Sequence, residues 1–346
     1  MKQANPEKKR SEEQGAAGKV LTLPRMSIYT ELIKQLLENL GLEVMLPPPI
    51  SKRTIQLGVR HSSPMMCYPF KVTLGSLIEV LELAREKGIR LTYLGIGTSN
   101  ACVGSCRFQQ YFELQKHICT DLGYDFDTHF VERKGKGKTG SILGVISTFR
   151  ALNPRNSYLK TVRELLKAIR RMNEEEARRD DFDWRDRERI RIGVVGEFYT
   201  VVESSINHDI FNKLRKLGVN VHTFVKYSNE LKRGYREEVP EPFVAQAKKH
   251  YDGLFRGHGD SSYYALYFYK HYGFDGVIHL LPLSCMPEST AQMMMDLTTK
   301  RLRLPLYRFE IDETNSEANI NTRLEAFVEL LQENKGKRES SRRVEP

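Results

Sequence analysis

The stretch that decides the fold is residues 273–288, which reads Gly-Phe-Asp-Gly-Val-Ile-His-Leu-Leu-Pro-Leu-Ser-Cys-Met-Pro-Glu. Its apolar run, residues 277–281, is short and begins with β-branched side chains, as is typical of a fully buried parallel strand. Pro287 suits the first position of a helix and Glu288 its first turn, so we predict a helix over about residues 287–300. The thiol of Cys285 should therefore lie at a strand-to-helix turn, where a helix N-terminus favours the thiolate.

Two other cysteines, Cys67 and Cys106, are likewise predicted to lie at the C-terminal edge of a strand and the start of a helix. Cys67 stands two residues before Pro69, as Cys285 does before Pro287, and a helix is predicted from Tyr68 to about residue 87. Cys106 follows a predicted strand at residues 90–94 and a glycine-containing segment, and it precedes a predicted helix at residues 109–122. Ligands of open α/β sheets gather at the carboxyl ends of the strands. We therefore predict that the three cysteines face one cleft.

Strands alternate with helices along the whole chain, which favours parallel sheets. We predict an α/β fold of two Rossmann-like lobes with mainly parallel sheets, a cysteine-lined cleft between them and a charged helical connector. The first lobe is predicted at residues 20–150, the connector at 151–188 and the second lobe at 189–334. Residues 1–19 and 335–346 are predicted to be disordered tails.

Composition limits the function classes. The 346 residues carry a net charge of +10, but much of the excess lies in local runs that suit solvated tails and connectors. No aromatic-interleaved basic motif occurs, which argues against nucleic-acid binding. Residues 1–18 lack the apolar core of a signal peptide, no segment is apolar enough for a membrane span, and the cysteine count is odd. We therefore expect a cytoplasmic protein with reduced thiols, no membrane partner and no disulfide scaffold.

The cysteines allow two interpretations. Soft thiolates suit an iron–sulfur cluster or zinc, and three protein ligands on a cubane cluster would leave one iron open for substrate. Alternatively, they are inert buried thiols, a common fate of cysteine. Cys102 is a candidate fourth ligand, whereas Cys119 has a helix-face position that favours core packing.

Three further side chains and one basic run have possible functional roles. Glu288 could act as an acid or base, or could simply stabilise the helix N-terminus. His258 lies between two glycines and is either a turn residue or a ligand, whereas His279 is predicted to be hydrogen-bonded structure. Residues 134–139 resemble a phosphate loop, but Glu132 stands where the pattern requires glycine, so we interpret them as a solvated basic turn.

Six motifs, in order and spacing, are similar to those of one protein family. They are Pro-Pro-Ile-Ser-Lys-Arg-Thr-Ile-Gln-Leu-Gly (48–58), Cys-Tyr-Pro-Phe-Lys-Val-Thr-Leu-Gly (67–75), Gly-Ser-Cys-Arg-Phe-Gln-Gln-Tyr (104–111), Gly-His-Gly-Asp-Ser-Ser (257–262), Cys-Met-Pro-Glu (285–288), and Ile-Asp-Glu-Thr followed by Thr-Arg-Leu-Glu-Ala-Phe. Between about residues 23 and 331 the chain resembles the acyl-CoA dehydratase activase-related proteins, also called CoA-substrate-specific enzyme activases. This family is related to the D component of 2-hydroxyacyl-CoA dehydratases and to benzoyl-CoA reductase subunits.

The resemblance implies a [4Fe-4S] or related cluster on Cys67, Cys106 and Cys285. It implies an ATP-hydrolysing iron–sulfur activator as electron donor, an acyl-CoA-type substrate, and pairing with a homologous larger subunit or as a homodimer. The expected function is anaerobic reduction or radical dehydration, as a lyase or reductase component. The alternative is a non-catalytic subunit or scaffold. Ser105 and Gln109 replace the proline and glycine that usually flank the Cys-Arg-Phe of this family, which alters the turn beside Cys106.

Overall fold

The structure, a computed structural model, describes residues 20–95, 106–130, 138–180, 182–228, 239–253, 255 and 257–344. Its strands are β1 (Val20–Thr22), β2 (Glu43–Val44), β3 (Leu91–Gly95), β4 (Asp127–Phe130), β5 (Arg191–Gly196), β6 (Asn220–Thr223), β7 (Gly276–Pro282) and β8 (Leu306–Ile311). Its helices are α1 (Ser27–Asn39), α2 (Lys52–Arg60), α3 (Tyr68–Glu86), α4 (Phe108–Asp121), α5 (Lys138–Leu152), α6 (Tyr158–Asp180), α7 (Phe198–Val202), α8 (Ile210–Lys216), α9 (Glu241–Lys248), α10 (Gly259–His271), α11 (Met286–Leu302) and α12 (Glu317–Val344).

These strands form two four-stranded sheets in which every pairing is parallel. The strand order is β2-β1-β3-β4 in the first sheet and β6-β5-β7-β8 in the second. In the first sheet, β2 lies on one side of β1 and β3 lies on the other, so the strand order changes direction between β1 and β3, whose carboxyl ends are neighbours. The same change occurs between β5 and β7 in the second sheet. Open α/β sheets bind ligands at such a reversal. The predicted α/β fold of two Rossmann-like lobes is confirmed.

The central strands are built for burial. β3, β5 and β7 are buried along their whole length. Their apolar and β-branched composition suits a parallel strand that is covered on both faces. β7 contains the predicted run at residues 277–281 and extends one residue further at each end.

One apolar core passes through both lobes. Tyr29 in the first lobe stacks on Tyr227 in the second, with ring centroids 5.0 Å apart. Helix α6 buries Leu165, Ile169 and Met172 in this core and contacts α1 in the first lobe as well as α8 and β6 in the second. The charged segment predicted as a connector thus has an apolar face packed against both lobes.

Helix α12 closes the second lobe. Its side chains Leu324 and Phe327 are buried in the shared core. The helix continues through residues 335–344, which belong to the predicted C-terminal tail. Within that part, the Nζ of Lys335 donates to the carbonyl oxygen of Glu188 at 2.7 Å.

Candidate functional site

Cys67 lies immediately before helix α3, and Pro69 is the second residue of that helix. Proline suits this position because the first turn of a helix leaves its N–H groups without intrahelical partners. The predicted strand end is not found here, since β2 ends at Val44 and helix α2 comes between that strand and Cys67. The cysteine is 5% exposed. It is thus held by a pair of helices rather than by a strand end.

The two helices cross in backbone contact. A Cβ atom at Gly58 would lie 1.7 Å from the carbonyl oxygen of Lys71, and one at Gly75 would lie 1.8 Å from that of Thr54. Only glycine permits so close an approach. The crossing fixes the part of α3 that follows Cys67. It also gives a structural reason for the glycines that end the motifs at residues 48–58 and 67–75.

Cys285 lies immediately before helix α11, with Pro287 as the second helical residue. β7 ends at Pro282, whose carbonyl accepts a hydrogen bond from the Cys285 N–H at 3.0 Å. Between them, Ser284 has a φ of +63°. This left-handed conformation costs a residue with a side chain about 1 kcal/mol, and such strain is concentrated at functional sites. The strand-to-helix turn predicted at this position is present.

Cys106 is partly buried and lies just before helix α4. The next residue, Arg107, donates from Nη2 to the carbonyl oxygen of Ser284 at 2.9 Å. This bond ties the start of α4 in the first lobe to the turn before Cys285 in the second. Cys102, weighed as a fourth ligand, lies outside the described residues.

Two further contacts join the lobes at the start of α3. The N–H of Tyr68 donates to the carbonyl oxygen of Leu283 at 3.3 Å. The Nζ of Lys71 lies 2.8 Å from Oε1 of Glu313, which follows β8, and the Lys71 side chain is only 5% exposed. A lysine so deeply buried requires a charged partner. The three turns that carry the cysteines therefore meet at the contact between the lobes.

The thiols in this cleft interact electrostatically. Burial raises the pKa of Cys67 to about 12, with smaller upward effects from Glu197 and Cys106. Burial also raises the pKa of Cys285 well above its usual value, and Glu288, Glu197 and Cys67 add to the effect. Backbone N–H groups in the first turns of α3 and α11 oppose these shifts because they favour the thiolate. At neutral pH both thiols keep their protons unless a metal replaces them.

The donor chemistry of the cleft suits a soft metal. Cys67, Cys106 and Cys285 form no disulfide bonds. Thiolates are the ligands that iron–sulfur clusters and zinc prefer. In the part of the chain that the structure describes, no group of three His, Cys, Asp or Glu side chains is arranged so that it could hold a metal ion. Binding a cluster would therefore require the sulfurs to close in around it.

Two polar side chains of the cleft were missed in the sequence. The Tyr111 hydroxyl contacts Sγ of Cys67, and its pKa is raised by burial and by all three thiols. The Glu197 carboxylate accepts hydrogen bonds from the N–H groups of Tyr199 and Thr200 at 3.0 and 2.8 Å, and burial raises its pKa. The position of Glu197 directly after a buried parallel strand could have indicated it. No local pattern indicates Tyr111.

Glu288, weighed as an acid or base, belongs to a buried polar chain. Its carboxylate lies 2.8 Å from Nε2 of His279 and accepts from Oγ of Ser262 at 3.3 Å. Arg308 Nε donates to Nδ1 of His279 at 3.1 Å. Because a guanidinium can only donate, Nδ1 is the acceptor and Nε2 carries the hydrogen that Glu288 accepts. His279 is hydrogen-bonded, as predicted, and the chain anchors the first turn of α11 to strand β7.

His258 lies immediately before helix α10 and is buried. Its ring stacks on Phe198 with centroids 5.5 Å apart. Burial lowers the pKa of His258 to about 4, although Glu288 acts in the opposite direction. The imidazole is therefore neutral at pH 7.

Two other predictions concern the first lobe. Cys119 is fully buried on α4 in the core of that lobe, as predicted for a packing residue. Of the basic run at 134–139, residues 134–137 lie outside the described residues and the last two begin helix α5. Across the described ranges, no helix combines the length and the apolar character needed to cross a membrane.

None of the curated proteins matches this sequence. Among solved structures, the Mn-bound periplasmic metal binding protein from Candidatus Liberibacter asiaticus is 11% identical with a TM-score of 0.30, over 90% of this chain and 99% of that chain. Another structure of the periplasmic metal binding protein from the same organism is 10% identical with a TM-score of 0.29, at the same coverage. Similarity this low supports no conclusion.

Two family models match, and together they span the two lobes. The CoA enzyme activase uncharacterised domain matches residues 23–225. The 2-hydroxyglutaryl-CoA dehydratase D-component matches residues 137–331. Each covers more than half of the 346 residues, and their limits agree with the extent of the sequence resemblance. The chain therefore belongs to the activase-related family that is described by the CoA enzyme activase uncharacterised domain and the 2-hydroxyglutaryl-CoA dehydratase D-component.

Proposed function

We propose that this chain is an iron–sulfur redox component of a 2-hydroxyacyl-CoA dehydratase-like system, with Cys67, Cys106 and Cys285 as the cluster ligands. The observation that carries the proposal is that three cysteine-bearing turns from two lobes meet in one buried cleft. When bound, a [4Fe-4S] cluster passes single electrons, and three protein ligands leave one iron open.

The surrounding residues fit this role. Helix N-terminal N–H groups at Phe70 and Glu288 donate toward the sulfurs of Cys67 and Cys285, which favours the thiolates that a cluster needs. Burial of these two cysteines excludes water from the site. The bond of Glu288 to His279 fixes the turn that presents Cys285.

The proposed partners are those that the family suggests. An ATP-hydrolysing iron–sulfur activator supplies low-potential electrons, and an acyl-CoA is reduced or dehydrated by this chain with a homologous larger subunit or a second copy. The exposed apolar side chains Met65, Leu283 and Met286 lie within two residues of Cys67 or Cys285 and give a partner an apolar surface beside the site. We place the protein in the cytoplasm, where thiols stay reduced.

A second candidate is a subunit that binds the dehydratase or the activator without turnover. The exposed apolar side chains of Met65, Leu283 and Met286 suit such a binding subunit as well as they suit a redox component. It predicts complex formation with the activator but no acyl-CoA conversion.

The test is anaerobic purification and reconstitution, followed by iron and acid-labile sulfide analysis. We expect about four irons per chain for the wild type, as in a [4Fe-4S] cluster. Cys285→Ser should lose most of the iron. Cys119→Ser, which changes a buried cysteine of the first-lobe core, is the matched control and should keep it.

Mixing the reconstituted protein with an activator of this class and ATP then separates the two candidates. Cluster reduction followed by acyl-CoA conversion supports the redox component, and an intact cluster without conversion supports the non-catalytic subunit. Wild-type protein that takes up no iron and sulfide, or a Cys285→Ser variant that is spectroscopically unchanged, rules out the proposed ligands.

A further inference from the structure

The Tyr111 hydroxyl lies where the three thiols meet. It contacts Sγ of Cys67, and Cys67, Cys106 and Cys285 all act on it electrostatically. Tyr111 belongs to α4, the helix that begins just after Cys106, and it is buried. A single phenol therefore touches one predicted ligand and lies within electrostatic range of the other two.

The ring is fixed by its neighbours. Tyr111 packs edge-to-face on Phe70, with centroids 4.8 Å apart. Phe70 belongs to the first turn of α3, three residues after Cys67. Because the thiol and the ring that supports the phenol share one helix turn, the contact between Tyr111 and Cys67 does not depend on a flexible loop.

The direction of the hydrogen bond follows from the chemistry of its two partners. A sulfur that ligates a metal carries no hydrogen and can only accept, whereas the phenol keeps an O–H that can donate. With Cys67 as a ligand, the contact between its Sγ and the Tyr111 hydroxyl is therefore a hydrogen bond in which the O–H donates and the sulfur accepts.

We infer that Tyr111 is a positioning residue for the cluster, an inference that rests on the proposed function. The O–H of Tyr111 donates a hydrogen bond to the ligating sulfur of Cys67. Such a bond withdraws negative charge from the sulfur and stabilises the reduced cluster more than the oxidised one. Tyr111 would thereby raise the reduction potential and hold the Cys67 ligand in place, without itself binding iron.

Tyr111→Phe removes the hydroxyl and leaves the ring on Phe70. We expect the reconstituted variant to hold a cluster whose midpoint potential, measured by redox titration with EPR detection, is more negative than that of the wild type. Cobalt(II) binding to the metal-free protein, followed by the thiolate-to-cobalt absorption, should weaken by about tenfold, a usual effect of losing an outer-shell partner.

Tyr93→Phe is the matched control. Tyr93 is also buried, stacks on Phe112 at 5.2 Å and donates its hydroxyl to Oε1 of Gln115 at 3.1 Å. Its replacement removes the same atom from the same lobe but spares the contact with Cys67. The potential and the cobalt affinity of this variant should equal those of the wild type.

A second variant covers the case in which Tyr111→Phe does not fold. 3,5-Difluorotyrosine at position 111 keeps the ring and the hydroxyl but makes the O–H a stronger donor, so the potential should become more positive. An unchanged potential in either variant that folds, or a shift of equal size in Tyr93→Phe, overturns the inference. Failure of the wild type to bind cobalt and cluster overturns the proposed function instead, so the two failures are distinguishable.

Discussion

The two lobes have the same strand order but present different chemistry at equivalent places. In the described residues, two helices precede the third strand of each sheet and one helix follows it. The helices before β3 are α2 and α3, and the helices before β7 are α9 and α10. Cys67 lies immediately before α3, and His258 lies at the equivalent position immediately before α10. Cys106 and Cys285 precede the helices after the third strands. The first lobe thus offers two thiols, whereas the second offers one thiol and a neutral imidazole.

The helix pairs also pack differently. α2 and α3 touch backbone to backbone at Gly58 and Gly75. α9 and α10 are held apart by rings, such as Phe243 against Phe268 with centroids 5.2 Å apart. The crossing of α2 and α3 therefore has no room for an added atom, whereas the packing of α9 on α10 depends on the volume of the rings between them. The helix behind Cys67 is fixed by contact, which suits a ligand that must keep its position.

The largest effect should come from removing a ring from the ring layer of the second lobe, by which we mean the packed rings of Trp184, His222, Phe224, Phe243 and Phe268. Phe243→Ala removes a ring that also lies 5.2 Å from His271 and 5.8 Å from Tyr272. We expect the free energy of unfolding to fall by about 3 kcal/mol, as is usual for a buried Phe→Ala change. Urea unfolding followed by the single tryptophan, Trp184, reports on this layer, because its indole packs on Phe268 with centroids 5.9 Å apart.

In Phe243→Ala, the fluorescence transition should occur at a lower urea concentration than the transition seen by circular dichroism. The reason is that Trp184 reports on the weakened second lobe, whereas circular dichroism reports on the whole chain. Phe243→Leu keeps most of the volume and should cost clearly less. Coincident transitions with an unchanged midpoint would contradict the claim that this lobe depends on its rings.

Adding an atom to the first lobe should have the next largest effect. A Cβ at position 75 would clash with the carbonyl oxygen of Thr54, so α2 and α3 must separate. We expect Gly75→Ala to lower the free energy of unfolding by about 2–3 kcal/mol, and to reduce iron uptake because α3 carries Cys67 at its start. Urea unfolding and iron analysis measure both effects.

Gly336→Ala makes the same change in helix α12, where a Cβ would meet nothing within 4 Å. Alanine should stabilise that helix by up to about 1 kcal/mol. The two substitutions should therefore have opposite signs. If they have the same sign, the close crossing is not what makes Gly75 necessary.

Acid should weaken the second lobe in particular, because its ring layer contains a histidine and the helix pair of the first lobe has none. Burial lowers the pKa of His222 to about 4, and its ring packs on Phe224 and Phe268. Below about pH 6.5 the unfolded chain takes up a proton that His222 in the folded chain does not, so this residue lowers stability by about 1.4 kcal/mol per pH unit until about pH 4. His258, whose pKa is lowered in the same way, adds a loss that the wild type shares with variants at position 222.

His222→Phe keeps a ring in the layer and removes the titrating group. Between pH 7 and pH 5, urea unfolding of this variant should lose about 1–2 kcal/mol less stability than the wild type. Equal losses in the two proteins would show that His222 is accessible to protons in the folded state.

The sequence predicted the parts of the site that local chemistry controls. Proline is favoured in the first turn of a helix, so Pro69 and Pro287 predicted two helix starts. The turns that carry Cys67 and Cys285 could therefore be located before the fold was known. The partners of those turns could not, because the contact of Arg107 with Ser284 joins residues 177 positions apart. The strand end expected at Cys67 was wrong because helix α2 lies between β2 and Cys67, and the contact of α2 with α3 at Gly58 and Gly75, rather than a strand, positions this cysteine.

The smallest effect should come from the turn before Cys285, whose counterpart in the first lobe, Ser105, lies outside the described residues. Ser284 has a φ of +63°, which glycine adopts without strain. Ser284→Gly should raise the free energy of unfolding by about 0.5 kcal/mol, since relief of roughly 1 kcal/mol of strain is partly offset by the greater freedom of glycine when unfolded. Ser284→Ala keeps the strain and should not be stabilised. If urea unfolding shows Ser284→Gly to be less stable than Ser284→Ala, relief of backbone strain does not outweigh the freedom that glycine gains on unfolding, and the left-handed conformation of residue 284 is not what limits the stability of this turn.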